Sequence, residues 1–179
     1  MASRRVALLR SINVGRAKRV AMAELRALVE ELGYRDVRTL LNSGNVVFTA
    51  PAAVRGDAAA RIEKGLVARL GVKARVTVLT AAELAAAVAD NPLVEVATNP
   101  SRLLVAFLAD PADRGRLEPL LAQDWRPEAL ALGARVAYLW CPPGVLVSRL
   151  SEAVGRALGD AVTTRNWTTV TKLHALAEG

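Results

Sequence analysis

YRDVRTLLNSGNVVFTA, residues 34–50, holds two short strand-like segments on either side of a turn. Val37, Thr39 and Leu41 recur at every second position, Asn42-Ser43-Gly44 supplies turn residues, and 46–49 returns as a partner strand, so the stretch predicts a β-hairpin. What flanks the hairpin sets the fold. Upstream, Val6, Leu8, Arg10 and Ile12 alternate with Ala7 and Leu9 as a strand largely apolar on both faces, which should be central and covered. Met22, Leu25, Leu28, Val29 and Leu32 then repeat at helical spacing up to Gly33, a left-handed cap position. Downstream, Ile62, Leu66 and Leu70 mark a helix ending at Gly71, and 75–79 reads as a further strand. A hairpin between a strand–helix pair and a helix–strand pair is the order βαββαβ, the ferredoxin-like unit.

The second half repeats that order. Residues 103–108 read as an apolar strand, Asp110 with Pro111 starts a helix as N-cap and first-turn proline, and 128–132 with 135–140 make a hairpin about Gly133. Leu146, Leu150, Val154 and Leu158 predict a helix closed by Gly159, and 161–164 a short last strand. Thr80 and Glu83 have capping-box spacing at the start of a linker helix that stops before Asn91-Pro92. The expected fold is α+β: two ferredoxin-like subdomains with antiparallel sheets, over 1–80 and 102–165, a linker helix and loop over 81–101, and a C-terminal helix over 166–179.

With 179 residues, 53% of them apolar, the chain can bury a core, and it has no run of eighteen apolar residues to cross a bilayer. Its start reads as a basic flank leading into a strand and has no small-residue cleavage site, so the expectation is a cytoplasmic protein that does not engage membrane. The single Cys141 allows no internal disulfide and beside two prolines reads as a buried small residue. The net charge of +7 is uneven: residues 1–90 carry 15 bases against 8 acids, and residues 91–179 carry 9 against 9. Arg4, Arg5, Arg10, Arg16, Lys18 and Arg19 fall in the first twenty residues with no acid among them. Such a patch attracts phosphate or a nucleic-acid backbone, although a bias toward arginine in the composition explains it too.

In a ferredoxin-like unit the first and second strands run parallel with the third between them. The exit of the first strand and the hairpin turn therefore meet at one end of the sheet, which makes Asn13 and Asn45 neighbours. That end gathers Asn13, Arg16, Lys18, Asn42, Ser43 and Asn45, amide, hydroxyl and cationic groups suited to a carboxylate or phosphate. Asn, Ser and Gly are also what a tight turn requires. A second candidate lies in TTRNWTTVTKL, residues 163–173. Here Asn166 is the expected N-cap of a helix from Trp167 to about Ala177. A cation just ahead of a helix start opposes the helix dipole unless an anion sits there, so Arg165, Asn166, Trp167, Thr168 and Thr169 form an expected anion site.

LLRSINVGRAKRVAMAELRALVEELGY, LNSGNVVF and TTRNWTTVTKL together resemble the bacterial family catalogued as domain of unknown function 1697. Its opening pattern is Arg-Gly-Ile-Asn-Val-Gly-Gly; in this chain Ser11 replaces the first glycine and Arg16 the last. The resemblance implies a compact α/β protein with two ferredoxin-like halves and implies no activity.

Metal ligation finds no support, since one His and one Cys cannot supply a structural zinc set, and no HExxH, Walker or G-x-G-x-x-G pattern occurs. No cofactor is expected. Ser11, Ser43 and Thr164 are the nearest nucleophile candidates, without a His nearby in sequence; His174 shares a helix face with Trp167 and reads as packed. RNA-binding domains of this topology stack bases on sheet aromatics, whereas the strand at 43–50 carries only Phe48, and Tyr138 with Trp140 read as core. The expected function is binding of a small anionic ligand or of nucleic-acid phosphate; the alternative is an enzyme acting on an anionic substrate.

Overall fold

The computed structural model describes residues 1–16 and 18–179. The chain folds as two units, Met1–Leu84 with Leu173–Gly179 and Ala85–Lys172. Mixed helix and strand content with two four-stranded antiparallel sheets makes it an α+β protein.

In the first unit, β1 (Ser3–Leu9), α1 (Met22–Glu31), β2 (Arg35–Thr39), β3 (Asn45–Ala50), α2 (Ala58–Gly65) and β4 (Val76–Thr80) follow the expected order. The strands lie β2-β3-β1-β4, each antiparallel to its neighbours, with Leu8 opposite Asn45 and Val6 opposite Leu79. Ala7, Leu9, Val46 and Phe48 on one sheet face meet Leu25, Leu28, Val29, Ile62 and Leu66 from the helices. Each large side chain buried there contributes about 1.5–3 kcal/mol. Asp57 caps α2 by accepting from the Ala59 amide at 2.9 Å, and Leu66–Leu70 continues the helix as a π-helical turn before Gly71. The helices approach closely at Gly65, where a Cβ would come within 2.9 Å of Leu28 Cδ1. Val6, Leu8 and Val47, on the other sheet face, are buried as well.

At the end of β4 the capping box forms as expected: the Glu83 amide donates to Thr80 Oγ1, and the Thr80 amide to Glu83 Oε1, both at 3.0 Å. They open α3 (Ala81–Ala89).

The second unit has β5 (Leu103–Leu108), β6 (Ala129–Leu132), β7 (Val136–Trp140), α4 (Arg149–Leu158) and β8 (Val162–Asn166), in the sheet order β6-β7-β5-β8. Leu104, Ala106, Leu108, Ala137 and Leu139 pack with Leu117, Leu150, Val154 and Leu158. On the opposite face Val105, Phe107, Tyr138 and Trp140 are buried, so the aromatics are core and no stacking platform is open. The Tyr138 hydroxyl donates to the Ala87 carbonyl of α3 at 2.7 Å, and burial pushes its pKa up to about 12.

Three elements differ from expectation. Asp110 does cap, accepting from Ala112 N at 2.9 Å, but two 3₁₀ segments follow, Pro111–Arg116 and Glu118–Ala122, where a helix was expected. Gly115 weakens a helix there, and Pro119 lacks the N–H that an interior turn needs. Leu146 is fully exposed in a 3₁₀ turn, because Ser148 accepts from Ser151 N at 2.9 Å and starts α4 after it. The last strand runs to Asn166, which makes Arg165 a strand residue. The helix after it, α5 (Trp167–Glu178), starts where expected.

Candidate functional site

The loop leaving β1 is built over the hairpin turn. The sheet pattern continues briefly, with Leu9 N donating to Gly44 O and Arg10 N to Arg75 O, both at 2.9 Å. The chain then takes positive φ at Ser11 (57°), Asn13 (53°) and Gly15 (55°). Two of these are not glycine, and left-handed geometry costs such residues about 1–2 kcal/mol each. Asn13 tolerates it best and holds the loop in place. Its Nδ2 donates to the carbonyls of Val20 and Asn42, its Oδ1 accepts from Val20 N, and its own amide donates to Lys18 O, all at 2.8 Å.

Across from it, Asn45 is wholly buried, and its Nδ2 donates to Leu40 O at 2.7 Å and to Ser43 Oγ at 2.9 Å. Within the turn Leu41 has φ 59° and is 51% exposed, a conformation rare for a bulky side chain. Asn13, Ser43 and Asn45 are thus gathered at one sheet end, with both amide side chains engaged inside the chain. The Lys18 ammonium donates to the Lys73 carbonyl, Arg19 Nη2 donates to Gly15 O at 2.6 Å, and Arg16 is exposed. The result is a strained loop, clamped by Asn13, that carries Arg10, Arg16, Lys18 and Arg19.

Ser11 takes a positive φ, a conformation that glycine adopts without steric strain. Replacing Ser11 with Gly is expected to stabilise the protein by about 0.5–1 kcal/mol, read as a higher urea midpoint at unchanged slope. A lower midpoint would show that the Ser11 side chain contributes more than its strain costs.

The second set of expected site residues lies in the second unit. Asn166 caps α5, its Oδ1 accepting from Thr169 N at 2.9 Å, and Thr171 Oγ1 donates to Thr168 O at 3.0 Å. Thr169 is buried, whereas Trp167 and Thr168 are half-buried. Arg165 pairs with Val105, and Val105 with Tyr138, which puts Arg165 on the apolar face of the sheet. Side chains alternate along a strand, so Arg165 and Asn166 leave β8 on opposite sides. The Arg165 Nη1 donates to Thr164 O at 3.0 Å, and desolvation lowers the guanidinium pKa to about 10.

Two features had no counterpart in the sequence reading. Glu128, Cys141 and Ser148 form a buried cluster at the start of α4. Ser148 Oγ donates to Glu128 Oε2 and lies 3.3 Å from Cys141 Sγ, while Leu150 N donates to Glu128 Oε1 at 3.3 Å. Burial pushes the Cys141 thiol up to about 11, which makes it a poor nucleophile. The other feature is a cleft beside Trp125. In sequence, Glu128 and Ser148 are twenty residues apart with no periodicity linking them.

Among the described residues no three or more His, Cys, Asp or Glu side chains gather as a metal site, and no helix is long and apolar enough to cross a membrane. His174 Nδ1 stands 3.9 Å from Glu178 Oε1.

No curated protein matches the chain. Among solved structures, that of the conserved bacterial protein SP0830 from Streptococcus pneumoniae is similar, with a TM-score of 0.74 and 21% identity over 99% of each chain. At that identity the likeness is one of fold. The model of a family described as protein of unknown function, DUF1697, matches residues 2–138, from the first strand into β7, and the chain belongs to that family.

Proposed function

We propose that the loop at 10–19 binds an anionic group, phosphate above all, carried by a small ligand or by a nucleic-acid backbone. The observation that supports this most is four cations on one loop whose backbone is held in left-handed geometry at Ser11, Asn13 and Gly15. Arg10, Arg16, Lys18 and Arg19 concentrate positive charge within the first twenty residues, which hold no acid, and such a field attracts an anion. The Asn13 bonds order the loop in advance, so little freedom is lost on binding. Alternating φ signs from Ser11 to Gly15 tend to turn successive N–H groups toward one side, an arrangement that favours anions. The Asn13 amide is already taken by Lys18 O, which leaves most of the attraction to the side-chain cations.

The test compares melting temperatures of the wild-type protein with those of Arg16→Gln and of Arg16→Gln with Arg19→Gln, in pyrophosphate and in chloride at equal ionic strength. Pyrophosphate is expected to raise the wild-type melting temperature and to raise those of the variants progressively less. Equal rises in all three proteins would show that the anion binds elsewhere than this loop. A parallel titration with oligonucleotides against salt separates the two carriers. A backbone held by three or four phosphate contacts gives a log–log slope of about −3, and strong salt-independent binding contradicts an electrostatic site.

A further inference from the structure

We infer that the second unit carries a separate binding cleft for a nucleotide, a flat nitrogen heterocycle bearing phosphate, between Trp125 and helix α4. The cleft has a volume of about 430 Å³ and lies open to solvent. That volume is in the range of small-molecule sites.

Trp125 follows the 3₁₀ segment Glu118–Ala122, and its Nε1 donates to the Leu120 carbonyl at 2.7 Å. That bond satisfies the polar atom of the indole and fixes its plane, while part of the ring packs on the apolar core of the unit. The remainder lines the cleft as rigid aromatic surface. Opposite it, α4 contributes Arg149, Glu152, Ala153 and Arg156, spaced i, i+3, i+4 and i+7 so that they share one helix face. The Arg149 guanidinium lies over the Trp125 ring, 5.7 Å from its centroid. Arg156 Nη2 stands 3.7 Å from Glu152 Oε1.

Each group matches a part of a nucleotide. A base stacks on an indole or on a guanidinium plane whatever its sequence identity. Phosphate is taken by Arg156, whose donor fork suits its oxygens, while Arg149 stays over the indole and offers its plane to the base. Glu152 and Gln123 offer acceptors for the amino and ring N–H groups of a base. Ala153, between the two arginines on the helix face, lines the cleft with a small side chain that leaves room for a ligand. Among the lining residues two arginines stand against one carboxylate, and the neighbouring Asp124, which feels the charge of Arg149, is itself paired with Arg126, so the site stays net positive, as an anionic ligand requires. None of these residues belongs to the 10–19 loop, so this inference does not rest on the preceding one.

Binding to the intact protein is measured by calorimetry with AMP, adenosine, inorganic phosphate and a short single-stranded oligonucleotide. Wild type is compared with Ala153→Leu, Arg149→Gln and Arg16→Gln. AMP is expected to bind saturably, with adenosine and phosphate each at least about tenfold weaker, because each keeps only part of the contacts. Ala153→Leu fills the cleft with a good helix former and is expected to weaken AMP at least about tenfold while the melting temperature without ligand is retained. Arg149→Gln is expected to weaken AMP to a similar extent, and Arg16→Gln to leave it unchanged. Oligonucleotide binding that falls with Ala153→Leu, in the absence of AMP binding, assigns the same site to nucleotides within a strand. No saturable binding of either ligand up to about 10 mM, or equal binding by wild type and both cleft variants, overturns the inference.

Discussion

Replacing Gly44 with Ala is expected to destabilise the protein by about 2–4 kcal/mol, a large share of the 5–15 kcal/mol by which domains are usually stable. Two penalties coincide at this position. Gly44 has φ 90°, where an L side chain is strained, and an added Cβ would stand 2.8 Å from Leu9 Cβ and 2.8 Å from Ile12 Cδ1. Ile12 is wholly buried, with its Cγ1 also 3.2 Å from the added Cβ, so it yields only by disturbing its own packing. Leu9 Cβ is fixed by β1, whose Leu9 amide donates to Gly44 O, so relief there requires the hairpin turn to lift from the strand. The comparison that isolates the second penalty is Gly71→Ala. Gly71 has φ 64° with nothing within 4 Å of an added Cβ, and its replacement should cost only about 1 kcal/mol. Urea unfolding of both variants gives the difference. Equal losses at the two glycines would mean that the turn does not press on β1 as described.

The next largest effect is expected at Glu128, whose replacement with Ala should cost about 2–4 kcal/mol. Glu128 is 7% exposed, and its carboxylate accepts from Ser148 Oγ and from Leu150 N at the start of α4, where the helix dipole favours negative charge. Without it the Leu150 amide loses its acceptor away from water. Ser148→Ala removes the N-cap of α4 and one partner of the buried carboxylate together, at about 1–2 kcal/mol or more. The two side chains share one hydrogen bond, so the double variant should be less damaged than the sum of the singles, by at least about 1 kcal/mol. A double-mutant cycle by urea unfolding measures this. Additive losses would show that the two groups act separately.

The loop at 10–19 and the α5 start illustrate how far residue type alone leads toward a site. Amides, hydroxyls and cations do gather at the end of the first sheet, because the strand order β2-β3-β1-β4 brings the β1 exit beside the hairpin turn. Asn13 and Asn45 turn out to hold backbone carbonyls, a use that composition cannot separate from ligand binding. Arg165 differs more sharply. Read along the chain it precedes a helix; in the sheet it pairs with Val105, and its side chain leaves on the apolar face. That placement comes from a strand pairing between residues sixty apart, which no local signal carries.

The order of the strands and most element ends were legible along the chain, because those depend on interactions within a few residues, while the helix expected after Asp110 was not formed. Alternation marked the strands, the 3.6-residue period marked α1 and α2, and side-chain caps formed at Thr80 with Glu83, at Asp110 and at Asn166. The sequence determined the α+β class as well, since a hairpin between two strand–helix pairs leaves few ways to bury both apolar faces. Which polar groups are consumed and which face a cleft depends on the packing of segments far apart in the chain. Glu128 meets Ser148, Trp125 meets α4, and Arg165 enters the apolar face of its sheet only once the strands are in register. The physical reason is that a side chain's hydrogen-bonding and charge environment is set by neighbours distant in sequence, whereas a cap or a turn is set by residues that adjoin it.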